Sequence, residues 1–140
     1  GLFRSAIGTS HGPCKFSEEA RLDFERLDAI AARLPGVPLV LHGASSVPQE
    51  AVAAVNAHGG NVAGASRGPE DLLRRAAAFA ICQINIGTGL RLAVTAAIRA
   101  LLAERPETFD PRAYLSAGRE AVRGMVRHKI RAVLGSSGQA

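Results

Sequence analysis

The sequence predicts an α/β fold built around a parallel sheet, and three observations lead to that prediction. Short apolar runs occupy residues 5–9, 37–42 and 81–86 of the 140-residue chain. Longer segments with apolar residues at helical spacing separate the runs, which is the alternation typical of βα units. Each run also ends beside glycine with histidine or hydroxyl residues, as strands do where α/β proteins bind ligands. We therefore expect three strands whose carboxyl ends share one site.

The helical segments follow from their apolar spacing and from the residues that end them. Pro35-Gly36 stops the first helix, and Asp110-Pro111 is a typical start for the last one. Asp23 and Glu25 are expected to lie within the first helix as surface charges. The five predicted helices cover residues 18–34, 46–58, 69–79, 88–105 and 112–134.

Composition predicts a globular, cytoplasmic protein without a membrane or nucleic-acid partner. Apolar residues make up 47% of the chain, yet no run approaches the roughly 20 that a membrane span needs. The first residues lack the pattern of a signal peptide, and Cys14 and Cys82 are too far apart to suggest a disulfide framework. The net charge of +5 comes from arginines scattered among helical segments, and aromatic residues are only 4%, which disfavours nucleic-acid binding.

Three parallel strands alone would leave two exposed sheet edges, which invite pairing with another chain. The sequence also begins with Gly1 and enters an apolar run almost at once. We therefore expect residues 1–140 to form a single partial domain whose N-terminal half is absent. The remaining strands would come from that half, as a complementing segment, or from a homo-oligomeric partner.

His11 and His42 are the strongest candidates for a metal site. Each precedes glycine at the end of an apolar run, and they lie one βα unit apart. Imidazole nitrogens are good Zn²⁺ ligands, and catalytic zinc takes three protein ligands, of which this pattern supplies two. The alternative is that each histidine satisfies a buried turn. His58 and His128 fall in helical segments without metal-binding spacing and are not expected to be ligands.

The same strand ends carry residues suited to a phosphate. Glycines let backbone N–H groups approach an anion, while hydroxyl and lysine side chains add donors and charge. The alternative is that the glycines are ordinary turn residues and that Ser46 and Thr88 are helix N-caps. The candidates for phosphate contact are Gly12, Lys15, Gly43, Ser45, Ser46, Gly87 and Thr88.

Taken together, these segments resemble the class II fructose-1,6-bisphosphate aldolases over essentially the whole chain. The matching motifs occur in order, as Ile7-Gly8-Thr9-Ser10-His11-Gly12, Lys15-Phe16, Leu41-His42-Gly43-Ala44-Ser45-Ser46-Val47-Pro48, Asn85-Ile86 with Thr88, and Phe109-Asp110-Pro111-Arg112. The resemblance implies the last three strands and C-terminal helices of a (β/α)₈ TIM barrel. It also implies zinc-dependent aldol cleavage of fructose 1,6-bisphosphate to dihydroxyacetone phosphate and glyceraldehyde 3-phosphate, in glycolysis and gluconeogenesis, with zinc as the Lewis acid.

By motif match, the resemblance assigns His11 and His42 as zinc ligands and Asn85 as a substrate contact beside the metal. It assigns phosphate contacts to Gly12, Lys15, Gly43, Ser45 and Thr88. The family's acid/base aspartate and a further histidine ligand lie on an earlier strand and are not in this chain. The isolated chain should therefore bind zinc weakly and turn over poorly.

The chain departs from the family within one motif. Gly87 and Gly89 stand where aspartates are usual, and Gln83 stands where lysine is common. These changes leave two alternatives: an aldolase for tagatose 1,6-bisphosphate or another ketose bisphosphate, and a non-catalytic half-barrel that packs on a partner.

Overall fold

The computed structural model describes residues 3–5, 22–41, 47–62, 70–79 and 81–139. Within these ranges the strands are β1 (Phe3–Ser5), β2 (Leu39–Leu41) and β3 (Ile81–Ile84). The α-helices are α1 (Phe24–Arg33), α2 (Gln49–Ala57), α3 (Glu70–Ala77), α4 (Thr88–Glu104) and α5 (Pro111–His128). A π-helical segment, Lys129–Leu134, continues α5. The predicted alternation of strands and helices is confirmed over the described residues.

The strands form one parallel sheet in the order β1-β2-β3. Ser5 lies opposite Leu41, and Leu41 lies opposite Ile84, so the strands end level with one another. The first strand begins at Phe3 rather than at residue 5, and the predicted residues 6–9 lie outside the described part. The α/β class is confirmed, and the three described strands are parallel neighbours in one sheet.

Several helix boundaries differ from the sequence prediction. The second helix, predicted from residue 46, begins at Gln49 with Pro48 at its N-cap position, and the third ends at Ala77 instead of Phe79. Asp23 is not inside α1: its carboxylate accepts a hydrogen bond from the backbone N–H of Arg26 at 2.9 Å, so it caps a helix that begins at Phe24. The last predicted helix is regular only to His128, after which it widens into the π-helical segment and ends at Gly135, where φ is +65°. Asp110 caps α5 with Pro111 in its first turn, as predicted.

The main core lies on one face of the sheet. Leu39 and Leu41 of β2 and Ile81 of β3 pack there, and α1, α3 and the π-helical segment cover them with Leu27, Leu73, Ala76 and Val133. Leu27, Leu39 and Val133 are completely buried. Burial of each such side chain contributes about 1.5–3 kcal/mol, so the C-terminal segment is an integral part of this core.

The helices α2, α4 and α5 form a second layer. Val47 and Val52 are buried against Leu92 of α4. Gly118 lets α5 approach α4, because a Cβ there would lie 3.3 Å from Cγ1 of Val94. Arg99 of α4 donates a hydrogen bond at 2.9 Å to the carbonyl of His58, which closes the end of α2. None of the helices in the described ranges has both the length and the apolar content to cross a membrane.

Candidate functional site

The three strand ends meet at one edge of the sheet because the strands are parallel and level. The chain continues from Leu41 directly into His42, and from Ile84 directly into Asn85. The backbone N–H of Asn85 donates to the carbonyl of Leu41 at 3.5 Å, which extends the pairing one residue beyond β3. Asn85 is therefore fixed beside the residue that precedes His42. In open and closed parallel sheets this carboxyl edge is where ligands bind.

Three of the predicted site residues lie in the described part of the chain: Asn85, Gly87 and Thr88. Asn85 is half-buried directly after β3, and Thr88 is the half-buried first residue of α4. The structure brings both to the carboxyl end of β3. The other predicted site residues lie outside the described residues: His11, Gly12, Lys15, His42, Gly43, Ser45 and Ser46.

The position of Thr88 differs from the alternative interpretation that made it the N-cap of α4. Gly87, not Thr88, occupies the N-cap position of α4, and its carbonyl accepts the first intrahelical bond, from the N–H of Arg91 at 3.2 Å. The N–H groups of Thr88 and the two residues after it therefore precede the intrahelical ladder. A helix start of this kind favours an anion through its aligned N–H groups.

A residue that sequence analysis did not assign to the site contacts Asn85. The amide of Gln83 donates from Nε2 to Oδ1 of Asn85 at 2.8 Å. These side chains share a face because they are two residues apart, and a β-bulge decides which face it is, since Ile81 pairs with Leu39 but Gln83 pairs with Val40. Cys82 is the additional residue of the bulge, and its thiol contacts the carbonyl of Leu39 at 3.3 Å.

A second polar cluster joins the start of α3 to the end of α5. The carboxylate of Glu70 receives hydrogen bonds from the Lys129 ammonium through Oε1 and from Nε2 of His128 through Oε2, the latter at 2.6 Å. Lys129 is only 3% exposed. Burial alone would raise the pKa of Glu70, but the hydrogen bonds and charges of Lys129 and His128 outweigh it and lower that pKa. No sequence motif indicated this cluster, because its members lie 58 and 59 residues apart.

The remaining histidine, His58, ends α2, and its carbonyl serves Arg99. Within the described ranges, His, Cys, Asp and Glu side chains form no group of three with metal-binding geometry. Both predicted zinc ligands fall outside those ranges. The described residues therefore define the β3 side of the predicted site, and the Glu70 cluster joins α3 to the C-terminal helical segment.

The protein is an α/β protein with a parallel sheet, and Asn85 and Thr88 lie at the carboxyl edge of that sheet. Proteins of this class commonly bind ligands at this edge. Comparison with known families narrows this class. The model of the class-II fructose-bisphosphate aldolases matches residues 4–139. The chain belongs to the class-II fructose-bisphosphate aldolase family, a family of lyases that are generally metal-dependent.

Individual relatives agree with the family match. The fructose-bisphosphate aldolase of Treponema pallidum is 45% identical over 147 residues, covering 96% of this chain and 44% of the relative. The aldolase of Giardia intestinalis is 44% identical, over 96% of this chain and 42% of the relative. The aldolase of Thermus caldophilus is 47% identical, over 96% of this chain and 44% of the relative. The chain thus spans less than half the length of these relatives.

Proposed function

We propose that this chain forms the C-terminal strands of a (β/α)₈ aldolase barrel and carries two of its zinc ligands and its phosphate-binding loops. The reaction is the reversible cleavage of fructose 1,6-bisphosphate to dihydroxyacetone phosphate and glyceraldehyde 3-phosphate. The observation that carries the proposal is the position of Asn85, bonded to the carbonyl of Leu41 immediately before His42. That contact supports a site shared by the loops after β2 and β3.

The zinc assignment rests on His11 and His42. Their imidazoles are the donors that Zn²⁺ favours, and the strands that precede them are neighbours in the sheet. Zinc bound there supplies Lewis-acid polarisation of the substrate ketone. Asn85, held beside the start of the His42 loop, contacts the substrate next to the metal.

The phosphate assignment uses Gly12, Lys15, Gly43, Ser45 and Thr88. Glycines permit close approach of backbone N–H groups, and Lys15 supplies a positive charge. The start of α4 supports this assignment, since the N–H groups that precede its first intrahelical bond lie at the carboxyl end of β3. Together these residues hold one phosphate and orient the ketose for cleavage.

The proton-transfer group and the third zinc ligand belong to the part of the relatives that this chain does not span. We therefore assign them to an N-terminal aldolase half, present in the same polypeptide or supplied by a partner or a second copy. A general acid/base must lie within hydrogen-bond reach of the proton it moves. The 140-residue chain alone should thus bind zinc weakly and cleave slowly, and the assembled enzyme would act in the cytoplasm.

A chimera tests the proposal. This chain replaces the segment that it matches in the Treponema pallidum aldolase, and the product is assayed for zinc content and for cleavage of fructose 1,6-bisphosphate. We expect about one zinc ion per subunit and activity that a chelator abolishes. His42→Ala should lose the zinc, whereas His58→Ala, at the end of α2, should retain it. A folded chimera without cleavage activity would refute the enzyme assignment and favour a non-catalytic half-barrel.

A second candidate substrate is tagatose 1,6-bisphosphate or another ketose bisphosphate, and Gly87 favours it. Among the described atoms, none lies within 4 Å of the position that a Cβ on Gly87 would take. Packing against the described residues therefore does not require glycine where the family has aspartate, and the change from an acid to glycine supports altered substrate contacts. Comparison of kcat/KM for both bisphosphates, before and after Gly87→Asp, decides between them.

A further inference from the structure

We propose that Gln83 is a positioning residue that fixes the amide of Asn85 with its nitrogen towards the substrate. The inference rests on the proposed function, because it assumes that Asn85 contacts the ketose phosphate. Its own evidence is the 2.8 Å hydrogen bond from Nε2 of Gln83 to Oδ1 of Asn85.

The hydrogen bond determines which end of the Asn85 amide is presented. An asparagine amide carries an acceptor oxygen and a donor nitrogen that rotation about one bond exchanges. With Oδ1 held by Gln83, Nδ2 lies on the other side of the amide. A substrate oxygen at that side then meets an N–H donor instead of a repelling carbonyl oxygen. The backbone N–H of Asn85 donates to the carbonyl of Leu41, and the contact with Gln83 adds a restraint on rotation of the side chain.

The β-bulge places the pair on the face of the sheet opposite the core. Successive residues of a regular strand face opposite sides of a sheet, and a shift of one residue exchanges the two faces. Ile81 and Ile84 both pack on the core face, although their separation would place them on opposite faces of a regular strand. The additional residue at Cys82 resolves this and turns Gln83, and Asn85 two residues later, to the face opposite the core. A bulge beside a ligand site commonly re-aims a side chain in this way.

Three substitutions at Gln83 in the Treponema pallidum chimera test the inference. Gln83→Leu removes this donor to Oδ1 of Asn85, so kcat/KM should fall about fivefold to tenfold, the value of one hydrogen bond. The carboxylate of Gln83→Glu accepts from Nδ2 of Asn85 and turns Oδ1 towards the substrate. The kcat/KM of this variant should therefore fall about a hundredfold, as when one catalytic donor is lost. Gln83→Lys donates to Oδ1 and should stay within about threefold of the unsubstituted chimera.

The control and the second readout separate positioning from a structural effect. Gln139→Glu makes the same chemical change at an exposed site near the C-terminus and should leave kcat/KM unchanged. In an Asn85→Ala background, Gln83→Glu should cause no further loss, since coupled residues are non-additive. The affinity for dihydroxyacetone phosphate, measured by calorimetry, should follow the same order as kcat/KM.

The outcomes distinguish the inference from the proposed function. An active chimera in which Gln83→Glu matches the unsubstituted protein, or in which Gln83→Lys is as damaging as Gln83→Leu, would overturn the inference alone. An inactive but folded chimera would overturn the proposed function and this inference with it. If the chimera fails to fold, the Thermus caldophilus aldolase serves as the second host for the same variants. In selectively ¹⁵N-asparagine-labelled protein, the Asn85 side-chain signal should shift with Gln83→Glu, and an unchanged signal would also overturn the inference.

Discussion

Glu70→Gln should weaken the attachment of α5 to α3 through its effect on a buried ammonium. Lys129 has a side chain only 4% exposed, and Glu70 provides the carboxylate that neutralises it. Removing one partner of a fully buried ion pair costs about 3–5 kcal/mol. Glu70 itself is 36% exposed, so water replaces part of the lost contact, and we expect a loss of about 2 kcal/mol in the free energy of unfolding.

The pH dependence gives this prediction a second signature. The pKa of Glu70 is lower in the folded state than its ordinary value of 4.5. Because its pKa is lowered on folding, the Glu70 carboxylate stabilises the folded state at pH values above 4.5. This stabilisation is lost as the pH falls through the pKa of the folded state. The difference between the unsubstituted chain and Glu70→Gln should therefore be largest near neutral pH and shrink below pH 4.5.

Equilibrium urea unfolding, followed by far-ultraviolet circular dichroism, measures both effects. The matched control is Glu120→Gln, which removes an exposed carboxylate 3.5 Å from the Arg123 guanidinium on α5. Exposed pairs of this kind contribute about 0–1 kcal/mol, so the control should change stability little. Equal losses for the two variants, or a loss for Glu70→Gln that does not vary with pH, would refute the reasoning.

Two further predictions concern glycines at close approaches. Gly118→Leu should lower the free energy of unfolding by about 1–3 kcal/mol, because the added atoms meet Val94 and Ile98 of α4. Gly124→Ala, whose Cβ would have no described atom within 4 Å, should instead stabilise α5 by about 0.5–1 kcal/mol. Thermal unfolding of both variants measures this difference, and equal shifts in Tm would contradict the α4–α5 packing. Gly60→Ala should cost about 2–3 kcal/mol, because its Cβ would lie 2.6 Å from the carbonyl oxygen of Val55. Gly36→Ala is its control: with φ of +75° and open space among the described atoms, it should cost about 1–2 kcal/mol from backbone strain alone.

Sequence patterns predicted the parts of this fold that depend on local chemistry. The second and third apolar runs form neighbouring parallel strands as expected, the first meets β1 only at Ser5, and Asp110-Pro111 begins α5 as capping rules require. Thr88 lies at the start of α4 as predicted, whereas the predicted strand 81–86 ends at Ile84 and leaves Asn85 just beyond it. These features depend on periodicity and capping, which neighbouring residues determine.

The missed features depend on contacts between distant segments. The bulge at Cys82 arises from the register of β3 against β2, and nothing within residues 81–86 distinguishes a bulged strand from a regular one. Gln83 was therefore noted only as a departure from a family pattern, not as a partner of Asn85. Lys129 is buried because α3 presents Glu70 to it, 59 residues earlier in the chain. Charge at such a position ordinarily predicts a solvated helix face.

The complete burial of Val133 has a consequence for the way the chain folds. Its neighbours in the core include Leu27 and Leu39. Residues about one hundred positions apart must therefore come into contact before this core excludes water. Contacts of such long sequence separation slow folding, because the entropy of closing the loop is lost before the contact forms. During synthesis, the part of this core that Val133 covers stays exposed until the segment Lys129–Leu134 leaves the ribosome. Over that interval it is a surface on which chaperones or aggregation can act.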